Sequence, residues 1–133
     1  MVIGIGIDIV HLPGFQKILD NPASHFVAAH FTENEIRYAE KNPTKKPVQH
    51  LAVRYAAKEA FIKALGQTNY NQPKVIPSVD YKEIEILNDE EKRPYLELHG
   101  RVKEVSRAQG VKRAFVTLAH DGDMAIAEVL LEG

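Results

Sequence analysis

Residues 1–10 read Met1-Val2-Ile3-Gly4-Ile5-Gly6-Ile7-Asp8-Ile9-Val10. Ile3, Ile5, Ile7 and Ile9 occupy the odd positions, and Gly4, Gly6, Asp8 and Val10 alternate with them. A period of two belongs to a β-strand, whose successive side chains point to opposite faces, so the isoleucine face is expected to be buried and Gly4, Gly6 and Asp8 to lie on the other, open face. Glycine weakens a strand, so two on one face mean that something approaches the backbone closely. Asp8 stands at the end of that open face. The stretch lacks a basic n-region and carries an acid, which makes it a first strand rather than a signal peptide.

Outward from this strand, His11-Leu-Pro-Gly-Phe15 opens a turn and a short helix to about Asp20, broken by Asn21-Pro22. Ser24 to His30 is a second helical piece. Thr32-Glu-Asn-Glu35 has the capping-box spacing and predicts a helix over 33–40. Pro47 sits where a helix starts, and Val48 to Leu65 is the strongest helix signal, ended by Gly66 at the C′ position. A loop, Gln67 to Ser78, leads to strands over 79–87 and 95–99. A short helix over 100–109 is stopped by Gly110. Strands over 111–120 and 124–131 are joined by Asp121-Gly122-Asp123, a hairpin signal. The order β, helices, β-β, α, β-β predicts an α+β fold, with helices packed on a mostly antiparallel sheet. With 133 residues and no internal repeat, residues 1–133 form a single domain.

Seventeen basic and eighteen acidic residues give a net charge of -1, without the basic excess expected of a protein that coats a nucleic-acid backbone. The chain has no cysteine, so disulfides, thiolate metal sites and a cysteine nucleophile are excluded. That is compatible with a reducing cytoplasm. No run of about 18 apolar residues predicts a membrane span.

On the long helix, Glu59 and Lys63 are four apart and share a face with Ala52 and Ala56. Spacing alone fits a solvated surface pair equally well. The alanine face and the glycine face of the strand are both small, however, and close packing of the two would bring Glu59 beside Asp8. Adjacent carboxylates need a proton or a cation between them. Oxygen-only ligation suits Mg²⁺, which takes one or two carboxylates plus substrate phosphates, and a lysine beside it would serve a phosphate oxygen. Lys58 is expected on the solvent side of the helix, and Tyr55 and Phe61 in the core. His11, His25, His30, His50 and His99 have no metal-ligand spacing.

Four motifs together resemble the bacterial holo-acyl-carrier-protein synthases, the small class of phosphopantetheinyl transferases. They are Gly4-Ile-Gly6-Ile-Asp8-Ile-Val10; Phe31-Thr32-x-x-Glu35 with Tyr38; Arg54-x-Ala-Ala-Lys58-Glu59-Ala60-Phe61-x-Lys63-Ala64-Leu65-Gly66; and Thr117-Leu-Ala-His120-Asp121 followed by Ala125-x-Ala127. The resemblance spans residues 4 to 127. It implies transfer of 4'-phosphopantetheine from coenzyme A to a serine of apo acyl carrier protein, releasing adenosine 3',5'-bisphosphate, in fatty acid biosynthesis. It implies Asp8 and Glu59 as ligands of Mg²⁺, with Mn²⁺ as the alternative. It implies Lys63 as the lysine that contacts the phosphates, and Arg54, Gly66 and His120 as coenzyme-binding residues. The resemblance further implies a cytoplasmic homotrimer with active sites at subunit interfaces, acting on neither nucleic acid nor membrane. Met124, Ile126, Leu130 and Leu131 are more apolar residues than one sheet face needs, which agrees with such an assembly.

Four positions depart from the family's pattern. Gly14 stands where an arginine that meets the acidic carrier is usual, with His11 for the usual acid. Gln67 follows Gly66 where a second glycine is common, and Ala119 replaces the serine before His120. Carrier docking would then fall to Lys17, Arg37 or the Lys45-Lys46 pair, with the Lys103, Arg107, Lys112, Arg113 cluster as a further candidate. A non-catalytic binding domain of the same fold is the alternative reading that Gly14 and Gln67 keep open.

Overall fold

The computed structural model describes residues 1–133, and in it the alternating stretch forms strand β1 (Val2–His11). Four helices follow: α1 (Leu12–Asp20), α2 (Phe26–His30), α3 (Glu33–Lys41) and α4 (Pro47–Gln67). A hairpin of β2 (Ile84–Asn88) and β3 (Pro94–Leu98), a helix α5 (Gly100–Ala108) and strands β4 (Arg113–Asp121) and β5 (Met124–Glu132) complete the chain. The expected α+β class is what forms. β1, β5 and β4 pair antiparallel in that order, and β2 pairs antiparallel with β3 in a separate ribbon. Gly122, at a φ of 55°, makes the tight β4–β5 turn that a side chain would strain.

α4 runs across the inner face of the three-stranded sheet. That face is small and apolar: Ala125, Ala127, Val129 and Leu131 are buried. The helix is apolar on nearly all sides because it is covered on nearly all sides. Its C-terminal half packs with Ile84, Ile86 and Val102, and its N-terminal half with Phe15 and Phe31.

The covered face of β1 is the glycine face, which corrects the expectation of a buried isoleucine face, because α4 packs directly on the glycine backbone. A Cβ on Gly4 would sit 2.2 Å from the Ala64 carbonyl oxygen, and one on Gly6 1.9 Å from that of Ala60. The alanines that meet the glycines are therefore Ala60 and Ala64, about two turns further along α4 than the expected Ala52 and Ala56. Ile5, Ile7 and Ile9 point the other way and are about half exposed.

Two side chains of α4 close the free edge of β1. Gln67 accepts from the Ile5 N–H through Oε1 at 2.7 Å, and Lys63 donates to the Ile7 carbonyl at 3.0 Å. An unpaired strand edge is a template for wrong pairing, and here the helix covers part of it.

Other differences from expectation are local. α4 continues through Gly66, which is helical, and ends at Thr68 in the right-handed region. The strand expected over 79–87 begins only at Ile84, because Tyr81–Glu83 is a 3₁₀ turn capped by Asp80. Leu131 faces inward and is fully buried, so it does not belong with Met124, Ile126 and Leu130 on the outer face.

Candidate active site

Close packing of β1 on α4 brings Asp8 and Glu59 to the wall of one open cavity of about 300 Å³, with Gly14, Ile18 and Tyr55 around it. Lys63 Nζ donates to Asp8 Oδ1 at 2.9 Å and is half exposed. The Tyr81 hydroxyl donates to Glu59 Oε1 at 2.9 Å. Burial, and then the hydrogen bond to Glu59, push the Tyr81 phenol up to about 12. The same causes push Tyr55 upward. Both phenols stay neutral and can act as donors near neutral pH. No cluster of three or more His, Asp or Glu side chains exists that could hold a metal, so two carboxylates are the acidic donor set here. That set suits a hard ion that keeps several waters and takes phosphate oxygens from a substrate.

Arg54 and His120 meet elsewhere. They line a polar cavity of about 270 Å³ with Lys45, His50, Asn88, Lys92 and Thr117. Arg54 is buried, donates to the His50 carbonyl and to Asn88 Oδ1, and lies over the Tyr38 ring at 4.4 Å. Its Nε has no partner, and neither has Nε2 of buried His50. His120 Nε2 donates to the Gln49 carbonyl at 3.1 Å, which leaves Nδ1 to accept from Lys45 Nζ at 2.7 Å. Burial, then the Arg54 and Lys45 charges, lower His50 to about 4. Burial is also the largest cause that lowers His120. Unpartnered buried nitrogens amid fixed cations are the chemistry of an anion site.

Arg54 and Lys63 are nine positions apart on α4, which places them on opposite sides of the helix. The six expected site residues thus fall into separate places. Asp8, Glu59 and Lys63 form one group, and Arg54 and His120 another. Gly66 belongs to neither; it edges an apolar cavity of about 380 Å³ beside Ile62, Leu65 and Val75.

Lys58 corrects an expectation. It lies fully buried rather than on the solvent side, paired with equally buried Glu35 at 2.7 Å and donating to the Tyr81 carbonyl at 2.9 Å. Glu35 has two duties. Its side chain closes the capping box of α3 through the Thr32 N–H and accepts from the Ile86 N–H. Phe61 is core as expected, whereas Tyr55 is half-buried at the carboxylate cavity. Lys17 and Arg37 are exposed, and Lys103, Arg107, Lys112 and Arg113 line a separate groove beside α5. Sequence reasoning missed Tyr81, His50 and Asn88. Only His50 gave a signal, being a polar residue on the buried side of the long helix.

Comparison with known proteins identifies the family. The family model of the 4'-phosphopantetheinyl transferase superfamily matches residues 4–127. The holo-[acyl-carrier-protein] synthase of Geobacter sp. (strain M21) is 36% identical over 132 residues, 99% of each chain. The structure titled Chronobacterium ammoniagenes ACPS-CoA complex superposes with a TM-score of 0.84 at 41% identity, covering 97% of this chain and 96% of that one. The holo-[acyl-carrier-protein] synthase of Neisseria meningitidis gives a TM-score of 0.85 at 28% identity over the whole of both chains. With the family's motifs carried by the strand and helix that build the carboxylate cavity, this chain belongs to the 4'-phosphopantetheinyl transferase superfamily.

Proposed function

We propose that the chain is a holo-acyl-carrier-protein synthase. It transfers 4'-phosphopantetheine from coenzyme A to a serine of apo acyl carrier protein, releasing adenosine 3',5'-bisphosphate, and so serves fatty acid biosynthesis. The observation that carries this reading is the meeting of Asp8 and Glu59 at one open cavity, with Lys63 bonded to Asp8. The nucleophile is the carrier's serine hydroxyl, so the chain needs none of its own. The serine oxygen bonds to the phosphorus that bears pantetheine, and the bond from that phosphorus to the bridging oxygen of the pyrophosphate breaks.

Asp8 and Glu59 would hold Mg²⁺ or Mn²⁺, which supplies positive charge to the pyrophosphate oxygens. Lys63, half exposed, would neutralise the phosphate that leaves. Arg54 and Lys45 would bind another phosphate of coenzyme A, with His120 orienting Lys45 and His50 lining the same cavity, an assignment supported by the unpartnered buried Nε of Arg54. Lys17, on the exposed side of α1 beyond Gly14, is our choice for contact with the acidic carrier. We assign the reaction to the cytoplasm.

The separation of the two clusters across α4 supports a homotrimer in which the basic cavity of one copy faces the carboxylates of the next. A mass spectrum of apo carrier protein incubated with the enzyme, coenzyme A and Mg²⁺ tests the activity. Gain of the phosphopantetheine mass is expected. Binding of coenzyme A without that gain would favour a non-catalytic domain.

A further inference from the structure

We infer that Tyr81 is the positioning residue for Glu59, and that the buried Lys58–Glu35 pair exists to hold Tyr81 in place. This rests on the reading of Asp8 and Glu59 as the carboxylates that hold the cation. Asp8 sits on a strand and is fixed by Lys63. Glu59 sits on a helix at a partly open surface, where a free glutamate would sample several rotamers. The Tyr81 phenol fixes it, donating to Oε1 at 2.9 Å, with the Tyr55 phenol beside the same carboxylate. Tyr81 thus orients one oxygen, and the side of Glu59 that faces the cavity is left for a ligand.

Tyr81 is itself held at both ends. Its carbonyl accepts from Lys58 Nζ at 2.9 Å. Its ring lies against Tyr55, centroids 5.9 Å apart and 18° from parallel, and against His30 at 4.7 Å. Lys58 and Glu59 are neighbours in sequence, so on a helix they diverge by 100°. Tyr81 bridges them, taking the inward lysine with its main chain and the outward glutamate with its side chain. Lys58 is in turn anchored by Glu35, whose carboxylate also accepts from the Thr32 and Ile86 N–H groups. A line of hydrogen bonds therefore runs from the α3 cap to the carboxylate. A buried ion pair contributes little net stability, so a fixed geometry is what this one supplies.

The test uses the full-length enzyme and Tyr81→Phe, which keeps the ring and removes the hydroxyl. Mn²⁺ affinity is measured by electron paramagnetic resonance with no coenzyme or carrier present, beside steady-state kinetics and urea unfolding. Groups that orient a metal ligand are worth roughly 10- to 100-fold in affinity or activity. The expected result is a loss in that range in Mn²⁺ affinity and in kcat, with KM for the carrier and the unfolding midpoint near wild type. Replacement of Tyr81 by 4-aminophenylalanine, which restores an N–H donor at the same place, should recover Mn²⁺ affinity. Wild-type Mn²⁺ affinity in Tyr81→Phe would overturn the inference, as would a lowered unfolding midpoint with unchanged affinity in the folded protein. The Mn²⁺ measurement needs no turnover, so it decides the role of Tyr81 even if the wild-type chain modifies no carrier.

Discussion

Among single residues, the two lysines of the long helix do opposite things. Lys63 is half exposed and bound to Asp8; Lys58 is fully buried and bound to Glu35. Removing one member of a buried pair strands the other charge and typically costs about 3–5 kcal/mol. Lys58→Ala should therefore lower stability by about that amount, read as the urea midpoint. Lys63→Ala should leave the midpoint nearly unchanged and lower kcat by roughly 10²–10³, the range for one preorganised electrostatic group. A Lys58→Ala protein as stable as wild type would show that the pair is solvated. His50 supplies a pH signature. Its folded pKa of about 4 lies below the ordinary 6.5 because burial and then Arg54 and Lys45 disfavour the charged ring. The unfolded chain binds this proton first, so the contribution to stability is whole above pH 6.5 and is lost as pH falls from 6.5 toward 4. Unfolding midpoints at pH 7.5, 5.5 and 4.5 should decline, and His50→Gln should flatten part of that decline. A wild-type profile no steeper than that of the variant would contradict the burial of a neutral ring.

Elements explain why the residues meet. Asp8 reaches Glu59 only because β1 has no side chains where α4 crosses it. A Cβ at Gly6 would lie 1.9 Å from a backbone oxygen that cannot rotate away. Gly6→Ala should thus force β1 off the helix, costing at least the roughly 1–3 kcal/mol of ordinary overpacking and separating the two carboxylates. Reduced stability together with weakened Mn²⁺ binding is expected; an unchanged protein on both measures would mean that the strand shifts freely. This contact was legible in the sequence, since two glycines alternating with isoleucines announce a close approach, and alanines on the longest helix announce the partner. The choice of Ala60 and Ala64 was not, because periodicity gives a face and not a depth along the helix. The direction of Lys58 was also hidden. A lysine is solvated by default, and its partner Glu35 was legible only as a capping residue, a role that it does fill. Tyr81 left no signal, because the 3₁₀ turn that aims it lies where β-branched residues suggested a strand. Gln67 shows the reverse case. A departure from the family's glycine, it closes the edge of β1 through the Ile5 N–H.

At the scale of the whole molecule, the outer face of the sheet is unlike that of a solitary domain. Ile5, Ile7, Ile9 and Phe115 are 46%, 59%, 55% and 43% exposed, and cross-strand pairing places Ile9 beside Ile126 and Ile5 beside Leu130. In the proposed homotrimer this contiguous apolar surface would be the contact between chains. The proposed assembly also bears on the chemistry: Arg54 and His120 lie across α4 from Asp8 and Glu59, so the proposed site, built from both clusters, would draw on two copies. The expected species in light scattering has three times the 14.9 kDa of one chain. Ile7→Glu should cost an isolated domain little, since the side chain is already wet, yet it should break the assembly and abolish activity. Mixing provides the sharper measurement. Asp8→Ala and His120→Ala should each be inactive alone, since every interface then lacks one half. Dissociated and reassembled together, they should recover part of the wild-type rate, because some interfaces then join an intact Asp8 to an intact His120. No recovery from demonstrably mixed oligomers, or full specific activity in a species of monomer mass, would place both clusters' work within one chain and remove the shared site.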